Sequence, residues 1–142
     1  MQIAAARATL TVDAVQRMLD AAVARSRELG IRVHIAIMDS SAELVGWLSF
    51  DGAPRIAAHT ARDKAYTAVQ TGMSTAEWGA YVASCPEDER QIIHAIRGYI
   101  GADGGFPVRH HGLVLGGIGI SGATQALDAD VARAALAAIG AA

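Results

Sequence analysis

Cysteine, lysine and aromatic residues are scarce in this sequence of 142 residues. The single cysteine, Cys85, excludes an internal disulfide bond and a cysteine-rich zinc site. Aromatic residues make up 5% of the chain, whereas hydrophobic residues of all kinds reach 52%. This length and composition predict one close-packed domain over residues 1–142, with few large rings in its core.

Charge is also scarce. Charged residues make up 18% of the chain and the formal net charge is −2, so no basic surplus exists to neutralise the phosphates of a nucleic acid. No run of about 18 apolar residues is present that would span a membrane. Residues 1–7 lack the charged and apolar regions of a signal peptide. We therefore expect a cytoplasmic protein that binds neither nucleic acid nor membrane.

The hydrophobic periodicity predicts helices and hairpins rather than alternating βαβ units. Helices are predicted over residues 11–30, 55–71, 74–84, 87–95 and 128–139. Strands are predicted over residues 31–38, 43–50, 97–101, 106–110 and 113–121. Because the paired strands have short connections, they must be antiparallel. The prediction is an α+β fold in which an antiparallel sheet of about five strands is covered by helices.

Residues 112–122 form the most unusual stretch, because glycine weakens the interior of a strand. Gly117 and Gly119 fall on the same face of the predicted strand, which leaves that face without side chains. Two interpretations are open: close packing against an alanine-rich helix, or a shallow slot for a flat ligand. The stretch lacks the lysine and spacing of a phosphate-binding loop.

The helix predicted over residues 55–71 carries polar groups on two adjacent stripes. His59, Arg62 and Asp63 lie on one stripe, and Lys64 and Thr67 lie on the other. Lys64 is the only lysine in the chain. One stripe is expected to face a pocket or a subunit interface. His59 with Asp63 one turn later can hold an imidazole in a fixed tautomer for proton transfer or iron ligation.

Five segments resemble, in the right order, the motifs of one family. They are Val33–Leu44, Phe50–Pro54, Ala61–Ala68, Gly104–Val108 and Gly117–Gly122. Each motif alone is weak, but their shared order is hard to meet by chance, and the resemblance extends from about residue 10 to the end of the chain. The sequence thus resembles the haem-binding-protein or GlcG-like family, which includes the C-terminal domain of PduO-type proteins.

The resemblance implies a profilin-like topology, homo-oligomers from tetramer to octamer, haem binding in some members and haem degradation in a few. The sequence departs from the family pattern at three places. Ser41-Ala42 replaces a glycine pair, Ser49-Phe50 replaces Arg-Met, and an insertion-like segment spans residues 78–99. That segment contributes Trp78, Tyr81, His94 and Arg97, and these departures leave room for a different small-molecule chemistry.

The first functional hypothesis is a module that binds haem or a related tetrapyrrole. Haem needs an apolar slot, an axial donor and cations for its propionates. His59 is the first choice of axial donor and is the predicted metal ligand, with His94 and Thr67 as the next choices. Lys64 is a further partner for a propionate. The predicted cofactor-binding residues are His59, Arg62, Thr67, His94, Gly104, Gly105, Arg109, Gly117 and Gly119.

The second hypothesis is a cofactor-independent isomerase, tautomerase or lyase that acts on a small carboxylated metabolite. Lys64 or Arg62 grips the carboxylate, and His59 moves the proton with Asp39 or Asp63 orienting it. The backbone amides at Gly104–Gly105 stabilise an enolate oxygen.

A third hypothesis is an oligomeric scaffold. The predicted final helix is apolar nearly all round, and its residues 131–139 would bury their small side chains against a second copy of the chain.

Overall fold

The computed structural model describes residues 1–141 and contains five α-helices and four β-strands in that range. In chain order they are α1 (Val12–Leu29), β1 (His34–Asp39), β2 (Leu44–Ser49), α2 (Ala57–Thr71), α3 (Thr75–Ser84), α4 (Glu87–Ala95), β3 (Gly105–His110), β4 (Leu113–Ser121) and α5 (Gln125–Ala138). None of these helices is both long and apolar enough to cross a bilayer.

The four strands form one antiparallel sheet in the order β2-β1-β4-β3. The prediction of an α+β fold is confirmed, but the prediction of about five strands is wrong by one. Residues 97–101 form no strand, because the Thr67 hydroxyl of α2 bonds the backbone at Gly98 and Ile100 and holds this segment against the helix. The profilin-like topology stays a prediction.

One face of the sheet carries the main hydrophobic core. The isoleucines that alternate along β1 and β4 are fully buried beneath α1 and α5; they are Ile35, Ile37, Ile118 and Ile120. The small residues of α5 belong to the same core, since Val131, Ala132 and Ala135 are also fully buried. The scaffold hypothesis assigned this helix face to a second copy, whereas the structure buries it within the chain.

Helix α2 covers the opposite face, directly over the glycines of β4. A Cβ atom built on Gly119 would lie 2.0 Å from the carbonyl oxygen of Ala61, and one built on Gly117 would lie 2.8 Å from that of Ala65. The backbone of α2 therefore occupies the space that side chains would need. Close packing against an alanine-rich helix is confirmed, and the slot for a flat ligand is wrong.

The helix boundaries follow from side-chain caps. The Thr11 hydroxyl accepts a hydrogen bond from the Ala14 amide at 3.2 Å and begins α1. Ser74 and Glu77 form a reciprocal capping box that begins α3. Pro86 is the residue before α4. The helix begins with Glu87, Asp88 and Glu89, whose charges suit the positive end of a helix dipole. The segment predicted as an insertion thus forms two separate helices.

Candidate functional site

Lys64 lies in the interior of the protein. Its ammonium donates to the carbonyl oxygen of Ile120 at 2.8 Å and to the carboxylate of Asp128 at 2.9 Å, and the two charged side chains are 2% and 3% exposed. The second carboxylate oxygen of Asp128 accepts from the Ala123 amide at 3.0 Å. Lys64 therefore joins α2 to β4 and α5. The geometry does not support its predicted role in gripping a substrate carboxylate or a propionate.

Gly104 and Gly105 lie against this ion pair. Gly104 has a φ of +116°, and a Cβ atom there would lie 3.0 Å from the Lys64 Nζ atom. The Gly104 amide already donates to the Asp103 carboxylate at 2.7 Å, and the Gly105 amide donates to the Thr75 hydroxyl at 2.9 Å. Neither amide is free to stabilise an enolate, and the glycines are needed for close approach instead.

Thr67 is fully buried, and its hydroxyl has two backbone partners. It donates to the carbonyl oxygen of Gly98 at 3.1 Å and accepts from the amide of Ile100 at 3.0 Å. Thr67 therefore fixes the segment before β3 rather than facing a ligand, contrary to its predicted place among the iron donors.

Replacing Thr67 with valine keeps the shape of the side chain and removes both hydrogen bonds. We expect the free energy of unfolding to fall by about 1–3 kcal/mol, because two partly buried backbone groups lose their partner. Urea denaturation measures the change. Thr60, a partly exposed threonine on the same helix, supplies the control variant Thr60→Val. An equal loss in both variants would contradict the role assigned to Thr67.

Two further predicted residues support local structure. One carboxylate oxygen of Asp39 accepts from the amides of Ser41 and Glu43 at 2.8 and 3.0 Å and closes the β1–β2 turn. Arg109 is exposed on β3 and donates to the carbonyl oxygen of Gly72. Asp39 does not orient His59, since it bonds its own turn at the far end of β1.

The exposed stripe of α2 carries the remaining predicted groups. His59 and Arg62 are exposed, and the Arg62 guanidinium lies 4.7 Å from the centre of the Trp47 ring. Burial raises the pKa of Asp63, and the charge of His59 opposes that shift. His59 and Asp63 are therefore electrostatic neighbours, as their spacing predicts. Because α2 covers the glycines, these groups do not surround a slot on the sheet.

The segment formed by α3 and α4 contains a cleft of about 340 Å³, here called the α3–α4 cleft. Its lining includes Trp78, Val82, Arg90, Ile93, His94 and Tyr99. The cleft therefore combines apolar walls with an imidazole and a guanidinium. Of the predicted donors, His94 lines this cleft, whereas His59 and Thr67 lie outside it.

Aromatic contacts build the wall of the α3–α4 cleft. The Trp78 ring centre is 5.6 Å from that of Tyr99 and 5.5 Å from that of Tyr81. Tyr66 of α2 contacts Tyr99 edge to face at 5.6 Å. Burial raises the pKa of Tyr99, and Tyr66 adds to that shift. Trp78, Tyr81 and Tyr99 also line a second apolar cleft of about 500 Å³, so flat aromatic surface is concentrated here.

Arg90 connects the two helices of the cleft. Its guanidinium bonds the Glu87 carboxylate and donates to the carbonyl oxygen of Ala83 at 3.4 Å. The hydrogen bond from Arg90 is also the main cause that lowers the pKa of Glu87. Gly79 allows residues 99–101 to approach α3, since a Cβ atom there would lie 2.7 Å from the carbonyl oxygen of Gly101. These contacts hold Arg90 at the cleft.

Sequence reasoning missed one pair of residues, His34 and Ser49. The His34 ring is buried, with Nδ1 2.7 Å from the Ser49 hydroxyl and Nε2 2.8 Å from the carbonyl oxygen of Pro54. The sequence places His34 opposite the isoleucines of β1 but leaves it a lone histidine. The β1–β2 hairpin pairs His34 with Ser49, so a prediction of the hairpin register would have indicated this contact.

The fold and the α3–α4 cleft together define a small α+β domain with an apolar site that carries an imidazole and a guanidinium. Comparison with known sequences identifies its family. The sequence profile of the family described as "Haem degrading protein HbpS-like" matches residues 10–137, and the chain belongs to this family.

Individual relatives agree with the family assignment. The chain is 33% identical over 132 residues to "Corrinoid adenosyltransferase PduO" of Citrobacter freundii, a match that covers 92% of this chain and 39% of that protein. The chain thus spans about 39% of the length of this relative.

Solved structures show the same fold. The crystal structure of a PduOC:haem complex superposes with a TM-score of 0.86 at 26% identity, over 94% of this chain and 97% of that one. A double mutant of HbpS from Streptomyces reticuli gives a TM-score of 0.87 at 30% identity, over 96% of this chain and 91% of that one. One protein with this fold therefore binds haem.

Proposed function

We propose that this protein binds haem or a related tetrapyrrole in the α3–α4 cleft, with His94 as the axial donor. The observation that carries the proposal is the cleft itself, where the His94 imidazole and the Arg90 guanidinium accompany Trp78 and Tyr99. Its family and the haem complex of a related protein support the same ligand class. His59, the first choice from the sequence, gives way to His94 because it lies outside the cleft.

The residues of the cleft fit the parts of a haem group. A flat macrocycle needs apolar and aromatic walls, which Trp78, Ile93 and Tyr99 provide. Propionates need a cation, and Arg90 is a bidentate donor already oriented by Glu87. A neutral His94 supplies the lone pair that a ferric or ferrous iron accepts. Bound haem iron supplies redox chemistry, on which the haem-degrading activity named for the family depends.

The protein's own residues determine how the ligand is held. The Trp78 and Tyr99 rings would shield a bound macrocycle from water, and the Arg90 guanidinium would bind its carboxylates. A corrinoid also carries a tetrapyrrole-derived ring, and the PduO relative is named for corrinoid chemistry. A cytoplasmic location stays a prediction from the sequence, and assembly into tetramers to octamers stays a prediction from the family resemblance.

Titration of the purified protein with hemin tests the proposal. We expect a shifted Soret band that saturates at one equivalent, and we expect His94→Ala to weaken hemin binding by about tenfold or more, since even partners of metal ligands contribute this much. His59→Ala is the matched control, because both histidines are exposed on helices and His59 lies outside the cleft. Hydroxocobalamin titrated in parallel distinguishes a corrinoid from haem.

Two results would count against the proposal. A wild-type protein that leaves the hemin spectrum unchanged would refute haem binding. A spectrum that changes normally in His94→Ala and is lost in His59→Ala would remove His94 and the α3–α4 cleft from the proposal.

A further inference from the structure

A separate cleft of about 510 Å³ lies where β2 ends and α2 begins, here called the β2–α2 cleft. Its lining includes His34, Ser49, Phe50, Arg55 and Ala58. Ala58 lines this cleft, whereas Tyr66, which contacts Tyr99 of the α3–α4 cleft, lies about 12 Å further along the axis of α2. The β2–α2 cleft is therefore distinct from the proposed haem site.

We propose that Ser49 and His34 form a nucleophile and general base that hydrolyse a short acyl ester bound in the β2–α2 cleft. The Ser49 Oγ atom lies 2.7 Å from His34 Nδ1, and His34 Nε2 lies 2.8 Å from the carbonyl oxygen of Pro54. A serine within hydrogen-bond reach of a histidine that a third group orients is the arrangement that activates a serine hydroxyl.

The partners of His34 determine where its proton lies. The Pro54 carbonyl oxygen can only accept, so Nε2 must carry the hydrogen. In the neutral ring Nδ1 then has a free lone pair and accepts the hydroxyl proton of Ser49. The base therefore already points at the nucleophile in the tautomer that proton transfer requires. The Pro54 carbonyl also faces the positive charge that develops on the ring.

His34 is buried and Ser49 is exposed, which suits a fixed base and an accessible nucleophile. The His34 ring is 6% exposed and stacks on Trp47, with ring centres 5.7 Å apart and planes at 21°. Ser49 is exposed at the end of the edge strand β2. The base is thus held rigidly by packing, while the nucleophile can be reached by a substrate from solvent.

The charge of the β2–α2 cleft indicates the substrate class. Arg55 lines the cleft and can bind a substrate anion, whereas Arg32 is paired with Asp51, through its carbonyl oxygen at 2.8 Å and its carboxylate at 3.7 Å. Phe50 and Ala58 supply apolar surface. A small ester with a short acyl chain and a carboxylate fits this combination, because a guanidinium recognises a carboxylate through two parallel hydrogen bonds.

The reaction balances with water as its only co-reactant. The Ser49 oxygen forms a bond to the acyl carbon while its proton passes to His34 Nδ1. The bond from the acyl carbon to the leaving oxygen then breaks, and the alcohol leaves with that proton. Water attacks the acyl-serine, gives its proton to Nδ1, and releases the carboxylic acid as Ser49 recovers its proton. The net change converts an ester and water to an acid and an alcohol.

The test uses the full chain with 4-nitrophenyl acetate and diisopropyl fluorophosphate. We expect slow nitrophenol release and a single phosphoryl adduct, located at Ser49 by peptide mass spectrometry. Ser49→Ala is expected to lower the hydrolysis rate by about 100-fold or more, as removal of a catalytic nucleophile does. Ser41→Ala is the matched control, since Ser41 is an exposed serine in the same hairpin and is expected to leave the rate unchanged.

His34→Gln separates base catalysis from simple exposure of a serine. The folded variant, checked by circular dichroism, is expected to lose phosphorylation of Ser49 while hemin binding is retained. If this variant does not fold, Ser49→Ala decides the question. The proposal is overturned if Ser49→Ala keeps the wild-type rate, if Ser41 is labelled as fast as Ser49, or if His34→Gln is labelled normally.

Arg55→Gln tests the substrate class. Its KM is expected to rise about tenfold or more for a 4-nitrophenyl ester with a free carboxylate, the loss of a charge-assisted pair, with little change for the acetate. Equal KM changes for both esters would overturn the proposed carboxylate specificity.

Discussion

Replacing Lys64 with alanine is expected to lower the free energy of unfolding by about 3–5 kcal/mol. The variant leaves the Asp128 carboxylate in the interior with only the Ala123 amide as its hydrogen-bond partner, and it also removes the ammonium that donates to the Ile120 carbonyl oxygen. A buried charge left without its partner is strongly destabilising. Urea denaturation without added hemin measures the change.

A surface ion pair supplies the control for Lys64. Arg25 bonds Asp130 at 2.6 Å, but the two side chains are 36% and 40% exposed, so solvent screens the pair. Arg25→Ala is expected to cost less than about 1 kcal/mol. The double variant Lys64→Met with Asp128→Leu is expected to regain much of the loss, because apolar residues of similar size often replace a buried pair. A loss for Lys64→Ala no larger than that for Arg25→Ala would show that the ammonium is not needed in the interior.

The unusual lysine was recognisable from the sequence, but its role was not. Counting shows that Lys64 is the single lysine, which points to a special requirement. Its partner, Asp128, is 64 residues further along the chain, and no local pattern connects them. The spacing of polar residues on α2 suggests a stripe that faces a ligand. In the structure Lys64 instead lies between α2 and the sheet and bonds Asp128 of α5.

Local patterns predicted the elements well where the determining contacts are local. The Thr11 cap, the Ser74 capping box and the alternating isoleucines of β1 each depend on neighbours in sequence, and the structure has all three. Residues 97–101 were wrongly predicted as a strand because their conformation depends on Thr67, about 30 residues away.

The candidate site was anticipated only in part for a similar reason. Of the four residues singled out in segment 78–99, Trp78 and His94 line the α3–α4 cleft, whereas Tyr81 and Arg97 are not part of its lining. The pairing of His34 with Ser49 depends on the register of the hairpin. Periodicity gives the face on which a strand residue lies but leaves the register open.

Replacing Gly119 with alanine is expected to lower the free energy of unfolding by about 3 kcal/mol or more. The added Cβ atom would lie 2.0 Å from the Ala61 carbonyl oxygen and 2.6 Å from the Ala65 nitrogen. Both are backbone atoms of α2, so no side-chain rotation relieves the overlap and the whole helix must move away from the sheet. Because α2 supplies Tyr66, which contacts Tyr99 of the α3–α4 cleft, we expect reduced hemin binding as well.

Gly112→Ala separates this overlap from the general effect of removing glycine. Nothing lies within 4 Å of a Cβ atom at Gly112, and its φ is +77°. The variant is therefore destabilised only by the left-handed backbone conformation, by about 1–2 kcal/mol. Gly117→Ala, with a nearest approach of 2.8 Å, is expected to lie between the two. Equal destabilisation of Gly112→Ala and Gly119→Ala would mean that α2 does not rest on β4, and the glycine-bearing face of the sheet would again be open to a flat ligand.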